Sequence, residues 1–361
     1  MTRGEADNLA LYGVPGVGAK THAQLLKHFG SATSVFAQPI KELMTLNGVG
    51  KSVAGNIGTF DRATFVDDQQ ERMDRAGAAV IFRGTEDYPP MLDAFPSAPP
   101  VLFTRGDISA LHMSSLAFVG TRGATPYGKK MTIALVTGSV NAGFCIVSGL
   151  AAGIDSISHR TALENDGVTV AVFGCGVDNI YPPQNRQLAL DIQNSGGCLV
   201  SHFPMGMEGL RGNFPARNSV IAGLSQGTVV VEAGQKSGAL ITADLALRAK
   251  RKLFAVPGPA DAKKSIGVNA LLGKGALPAT DITVILAAFG RRAAAQPKQA
   301  PKIIPQGLPG EIMKILVGGP LDVEAICVKL NEPVQTILQE LTELEIDGLV
   351  GQQPGKIFSL T

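Results

Sequence analysis

Six short apolar runs, at residues 116–120, 145–148, 169–174, 198–202, 228–231 and 253–256, each lead through a turn of small or polar residues toward a helical segment. Runs of that length and β-branched content read as buried strands, and helix-long connections bring the chain back in the same direction. Right-handed crossovers then predict an α/β fold with a doubly wound parallel sheet. The 43 glycines and the absence of Trp suit a chain of many tight turns. In such a sheet the strand-to-helix turns share the carboxyl edge, where ligands bind at the switch in strand order. Residues 120–124, 148–155, 174–178, 211–218 and 233–242 are therefore expected around one cleft.

The residue types in those turns point to an anion. Arg122 follows a strand and precedes a helix start, where backbone N–H groups and the dipole favour negative charge and a guanidinium adds a bidentate phosphate contact. The alternative for it is a salt bridge to Asp155. Arg211, Arg217 and Lys236 are expected on the same rim, and Phe214, held between glycines and Pro215, suits base stacking or the core. Gly120, Thr121, Ser148, Gly149, Asn218, Ser237 and Gly238 complete the candidate contact set. Residues 218–224 and 239–250 read as helices, the second apolar almost all round and hence central, with Ser237 as its cap. Asp155 and His159, at helical spacing, are better explained by a cap and an interior hydrogen bond than by a metal, since no third ligand is in view. Glu232 is open to two roles, acid-base chemistry or accepting hydrogen bonds from the turn 234–238. No Ser/His/Asp set or carboxylate pair is defensible from spacing.

The flanks differ in texture. Residues 1–72 are short helices punctuated by VPGVG at 14–18 and LNGVG at 46–50, similar to the helix-hairpin-helix motif, whose glycines either free N–H groups for DNA phosphate or only make a tight turn. Gly50-Lys51-Ser52 imitates a phosphate-binding loop, but that motif needs glycine where Thr45 stands. Residues 73–290 hold the sheet, with further short strands at 80–83 and 101–105. An Ala/Pro/Gln/Lys linker follows at 291–309. Residues 310–361 read as three helices, at 311–316, 321–330 and 333–347, and a hairpin, the pattern of a winged helix. Val334, Ile337, Leu338, Leu341 and Leu344 are expected on one face of the third helix, and Gly348 at its end. That helix carries Glu340, Glu343 and Glu345, with Glu332 just before it and no Lys or Arg, which favours a protein contact over DNA.

A formal charge of +2 announces no overall basic bias, though a near-neutral sum can hide a basic groove. The four scattered cysteines read as reduced core thiols, no metal or cofactor site is evident, and no stretch approaches about 18 apolar residues. A cytoplasmic chain without a membrane anchor is expected.

Taken together, VGTR at 119–122, SGLAAGID at 148–155 with His159, Gly174-x-Gly176-x-Asp178 with Tyr181, Pro182 and Asn185, FPxRN at 214–218 with IAGLS at 221–225, VVEA at 230–233, SGALITA at 237–243 and FAVPG at 254–258 resemble the DNA-processing protein A (DprA/Smf) family. The resemblance implies an extended Rossmann-like domain, flanked by a SAM-like helical domain and a winged helix. It implies sequence-independent binding of single-stranded DNA, a homodimer, and loading of RecA during natural transformation, with no enzymatic turnover. Arg122 becomes the phosphate clamp, Phe214 the stacking residue and Arg211 the basic partner. Ser219 and His202 depart from the family pattern, which commonly has arginine and glutamate there. An enzyme remains the alternative, a nucleotide hydrolase of the lysine-decarboxylase-like group acting on nucleoside monophosphates.

Overall fold

The computed structural model describes residues 1–291, 307–346, 349–353 and 355–360. The chain divides into two compact units, Met1–Ala293 and Ala294–Thr361.

The first unit is built on a nine-stranded sheet of order β1-β2-β6-β5-β4-β3-β7-β8-β9. The strands are β1 (Ala79–Phe82), β2 (Val101–Gly106), β3 (Ser115–Val119), β4 (Cys145–Ser148), β5 (Thr169–Val172), β6 (Cys198–Ser201), β7 (Gly227–Val230), β8 (Lys252–Ala255) and β9 (Leu277–Pro278). The six strands expected from the apolar runs are β3 to β8, and every pairing among them is parallel. Both faces are covered, which is why these strands are continuously apolar. Leu116 and Phe118 meet helices Pro126–Asn141, Ile154–Glu164 and Ile282–Ala288 on one side. Ala117 and Val119 belong to the core that helices Asn213–Leu224 and Ala239–Arg248 build on the other. The chain leaves β3 toward β4, β5 and β6, then returns to β7 on the opposite flank of β3. The switch in strand order thus lies between β3 and β7. There Val231 N–H donates to Val119 O at 3.1 Å and Thr121 N–H to Glu232 O at 2.8 Å.

The edges hold what the apolar pattern leaves open. β2 runs antiparallel to β6 and β1 antiparallel to β2, while β9 extends the parallel ladder beyond β8. Six short helices occupy the stretch from Arg3 to Ala76, and two of them, Ala19–Phe29 and Lys51–Thr59, start at Gly18 and Gly50 of the paired Gly-x-Gly turns. Helix Arg62–Ala76 is tied to the sheet unit by buried Gln69, which accepts from Met205 N at 2.7 Å and donates to Met205 O at 3.2 Å.

Two helices near the switch differ from expectation. The first begins at Asn213, five residues before 218, so Phe214 and Arg217 are helical rather than loop residues. Pro215 falls in its first turn, where a missing N–H removes no intrahelical bond. The second, Ala239–Arg248, is not central. Thr242, Ala243 and Ala246 are buried while Ile241 and Leu247 are exposed, because a helix on a sheet buries one stripe. Its cap is Gly238, although Ser237 Oγ accepts from Ala239 N–H at 3.4 Å.

The second unit holds helices Leu308–Leu316, Val323–Leu330 and Val334–Ile346 with a small antiparallel sheet of β10 (Leu321–Asp322), β12 (Ile357–Leu360) and β11 (Val350–Gln353). This is a winged helix. Leu321 and Asp322 pair with β12 instead of starting the second helix, and Asp322 caps it by accepting from Ala325 N–H. Ile337, Leu341 and Leu344 form the buried stripe of the third helix, whereas Val334 at its start is exposed. Gly348 and most of the linker lie outside the described residues.

Candidate nucleic-acid interface

The carboxyl ends of β3 and β7 open into a cavity of about 530 Å³. Its first wall is the turn Gly120-Thr121-Arg122, seated by missing side chains. A Cβ on Gly120 would stand 2.5 Å from Ile154 Cγ1, and one on Gly153 (φ +84) 2.3 Å from Thr121 O. The turn after β3 therefore lies directly on the start of helix Ile154–Glu164. Arg122 emerges exposed, and no ion pair to Asp155 forms; its guanidinium instead lies 5.5 Å from the Phe214 ring centroid. Phe214 is half-buried on Gly174, where a Cβ would come within 3.0 Å of the ring, and Tyr181 stands 6.1 Å away.

The opposite wall carries Gly234, Lys236, Ser237 and Gly238, from the turn after β7 into helix Ala239–Arg248. Asn218 Nδ2 donates to Gly238 O at 3.3 Å and so joins this turn to helix Asn213–Leu224. Lys236 is exposed. Lys263 and Lys264, from the turn after β8, complete the rim, and Lys264 Nζ donates to Gly123 O. Arg122, Lys236, Lys263 and Lys264 thus face the opening, and the carboxylate in the lining belongs to Asp155.

Arg217 has a different place from the rim expected of it. It is 5% exposed, and its Nη1 donates to Gly149 O at 2.6 Å and Val172 O at 2.8 Å, bracing the ends of β4 and β5 from beneath. Burial pulls its guanidinium below the ordinary arginine value against the attraction of Asp155, and burial raises the Asp155 carboxyl against the attraction of Arg217. Gly149 is glycine because a Cβ would lie 1.8 Å from that Nη1. Gly149 and Ser148, whose hydroxyl donates to Phe118 O at 2.6 Å, do not line the cavity. Arg211 is exposed in the turn ahead of helix Asn213–Leu224 and is also outside the lining. Of the twelve candidate contacts, Gly120, Thr121, Arg122, Phe214, Arg217, Asn218, Lys236, Ser237 and Gly238 are brought together, with Arg217 as floor rather than rim.

Glu232 is not held by the turn 234–238. It is buried and accepts from Thr125 N–H at 3.0 Å and from the Thr125 hydroxyl, which fixes the start of helix Pro126–Asn141. His159 Nδ1 meets Thr169 Oγ1 at 2.7 Å, the interior hydrogen bond expected of it. Lys263 and Lys264 were missed although their signal is simple. They follow the strand at 253–256, whose turn obeys the same edge rule as the others.

Residues 79–290 match the model of the family described as DNA recombination-mediator protein A, and residues 296–356 match the DprA winged helix domain. The protein Smf of Synechocystis is 34% identical over 96% of each chain. The X-ray structure of DNA processing protein A from Streptococcus pneumoniae superposes with a TM-score of 0.69 at 29% identity, covering 80% of this chain and 98% of the other. DNA processing protein A from Helicobacter pylori, studied for its single-stranded DNA binding mode, gives 0.53 at 30% identity over 59% of this chain and 95% of its own.

Proposed function

The chain belongs to the DNA recombination-mediator protein A family, and on that premise we propose that it binds single-stranded DNA, independently of any sequence motif, in the crevice between β3 and β7. The observation that carries this reading is Arg122, an exposed guanidinium without a carboxylate partner among the described residues, beside the half-buried Phe214 ring. A backbone phosphate pairs with Arg122, Lys236 and Lys263 at the rim, while a base stacks on Phe214. Every base has a π-face, so stacking tolerates sequence, and each stack contributes roughly 1–3 kcal/mol. The single-stranded DNA binding mode studied for the Helicobacter pylori relative supports the same ligand.

Holding a strand needs no nucleophile. In the cavity lining the carboxylate is that of Asp155, buried against Arg217, and Glu232 accepts from Thr125 outside that lining. Neither arrangement favours a hydrolase, and the reading is of a binding protein without turnover. Loading of RecA onto the held strand, action as a homodimer and residence in the cytoplasm, where incoming strands are processed, complete the proposal.

Titration of a labelled single strand by fluorescence anisotropy tests it. Arg122→Glu removes one charge-assisted contact and adds a repulsion, with an expected loss of about a hundredfold in affinity, equivalent to ~3 kcal/mol. Equal binding by this variant and the parent would sink the assignment.

A further inference from the structure

A second cavity of about 690 Å³ opens beside the first and shares Lys263 and Lys264 with it. Its size is in the range of pockets that bury small organic groups. One wall is Tyr127, an exposed aromatic at 42% whose hydroxyl donates to Pro257 O at 2.7 Å, so the ring is anchored rather than free. The facing wall is the turn through Pro257, Gly258 and Pro259. Asn269 holds that turn by donating to Gly258 O at 3.0 Å and accepting from Gly258 N–H at 3.3 Å. A buried carboxylate, Glu232, also lines the cavity. Thr125 fills one acceptor site on each of its oxygens. A carboxylate offers about four such sites, so acceptor capacity remains.

An anchored aromatic, flat proline faces and a buried acceptor, reached past two lysines, describe a planar heterocycle that carries an amino donor and is attached to phosphate. We infer that this cavity is a nucleobase subsite, taking a base of the strand whose phosphates lie in the crevice, with Tyr127 as the stacking wall and Glu232 accepting from an exocyclic amine. The inference rests on the single-stranded DNA reading and refines it. Cytosine, adenine and guanine carry such an amine and thymine does not. The grip on the strand stays independent of motif, and the subsite adds a bias in base composition.

The test compares (dC) and (dT) oligonucleotides of about a dozen nucleotides on the full-length protein, its Tyr127→Ala variant and its Glu232→Gln variant, with free dCMP as competitor. The parent is expected to bind (dC) about fivefold more tightly than (dT), within the range of single base contacts. Tyr127→Ala is expected to weaken (dC) about tenfold, the loss of one stack. Glu232→Gln is expected to erase the difference between the two strands. Should Glu232→Gln fail to fold through its link to Thr125, the Tyr127→Ala result stands alone. Binding by the parent that is indifferent to base identity and unchanged by Tyr127→Ala overturns the subsite and leaves the crevice reading intact. No binding of any oligonucleotide overturns both. Saturation by dCMP at concentrations that leave strand binding untouched overturns the claim that the base belongs to the strand.

Discussion

The crevice of the first unit and the third helix of the second sit where their respective folds meet nucleic acid, at a topological switch point and at a recognition helix. Their surfaces are opposite. The crevice presents Arg122, Lys236, Lys263 and Lys264 around an aromatic ring. The helix Val334–Ile346 presents Glu343 and Glu345 exposed and carries no Lys or Arg. Phosphate contacts dominate affinity for nucleic acid, so the two places cannot do the same work even though both folds allow it. What separates them is local charge, and fold alone assigns neither role.

Acid separates the two units most strongly. His22, His159 and His202 are buried in the first unit, and burial lowers them to about 4, about 3 and about 4 from an ordinary value near 6.5. The folded chain keeps them neutral while the unfolded chain takes up protons below 6.5, so their stabilisation is complete above that pH and is lost as pH falls toward 4. At pH 5 the loss is roughly 2 kcal/mol per histidine, an upper figure for each. The second unit contains no histidine. Calorimetry from pH 7.5 to 5 should therefore show the transition of the first unit moving down much more than that of the second. Parallel movement of both would assign the acid sensitivity elsewhere.

The two arginines of the crevice sharpen the comparison from within. Arg217→Ala leaves Gly149 O and Val172 O without their donor and Asp155 without its counter-charge, at a cost of about 3 kcal/mol. Thermal melting of the first unit should drop by roughly 5 °C. Arg122→Ala touches nothing buried and should leave the melting temperature unchanged while weakening strand binding. If Arg217→Ala melts like the parent, its role as a floor brace is wrong.

Smaller effects follow at the ring and at the acidic helix. Phe214→Ala should weaken single strands about tenfold, one stacking contact, with the salt dependence of binding unaltered because no phosphate contact is lost. A change in the slope of affinity against salt would mean the ring acts through the arginine beside it. Glu343→Gln with Glu345→Gln should change strand affinity less than twofold, as expected of a surface that makes no contact with the strand. A large gain would place the helix Val334–Ile346 near the strand after all.

The parallel core was legible because each β-branched run is buried on both faces and so advertises itself without reference to distant residues. The antiparallel edge was not. β1 and β2 read as short strands, but the pairing of β2 with β6 depends on contacts nearly a hundred residues apart, which no local pattern carries. In the site, Arg122 was legible from its place between strand and helix. Arg217 was misread because charge is visible in a sequence and burial is not; the glycine at 149 that makes room for it reads as one more turn residue. Ser148 and Arg211 belong to the right turns, yet one side chain points into the sheet and the other stands outside the cavity. Position along the chain fixes a turn's edge but not the direction of each side chain.

The direct test of the central claim is where a strand touches the protein. A single-stranded oligonucleotide carrying bromodeoxyuridine, photo-cross-linked to the full chain and mapped by mass spectrometry, should place its adduct at Phe214, with the adduct lost in the Arg122→Glu variant. An adduct confined to the helix Val334–Ile346, with Phe214 unmodified, would contradict the account.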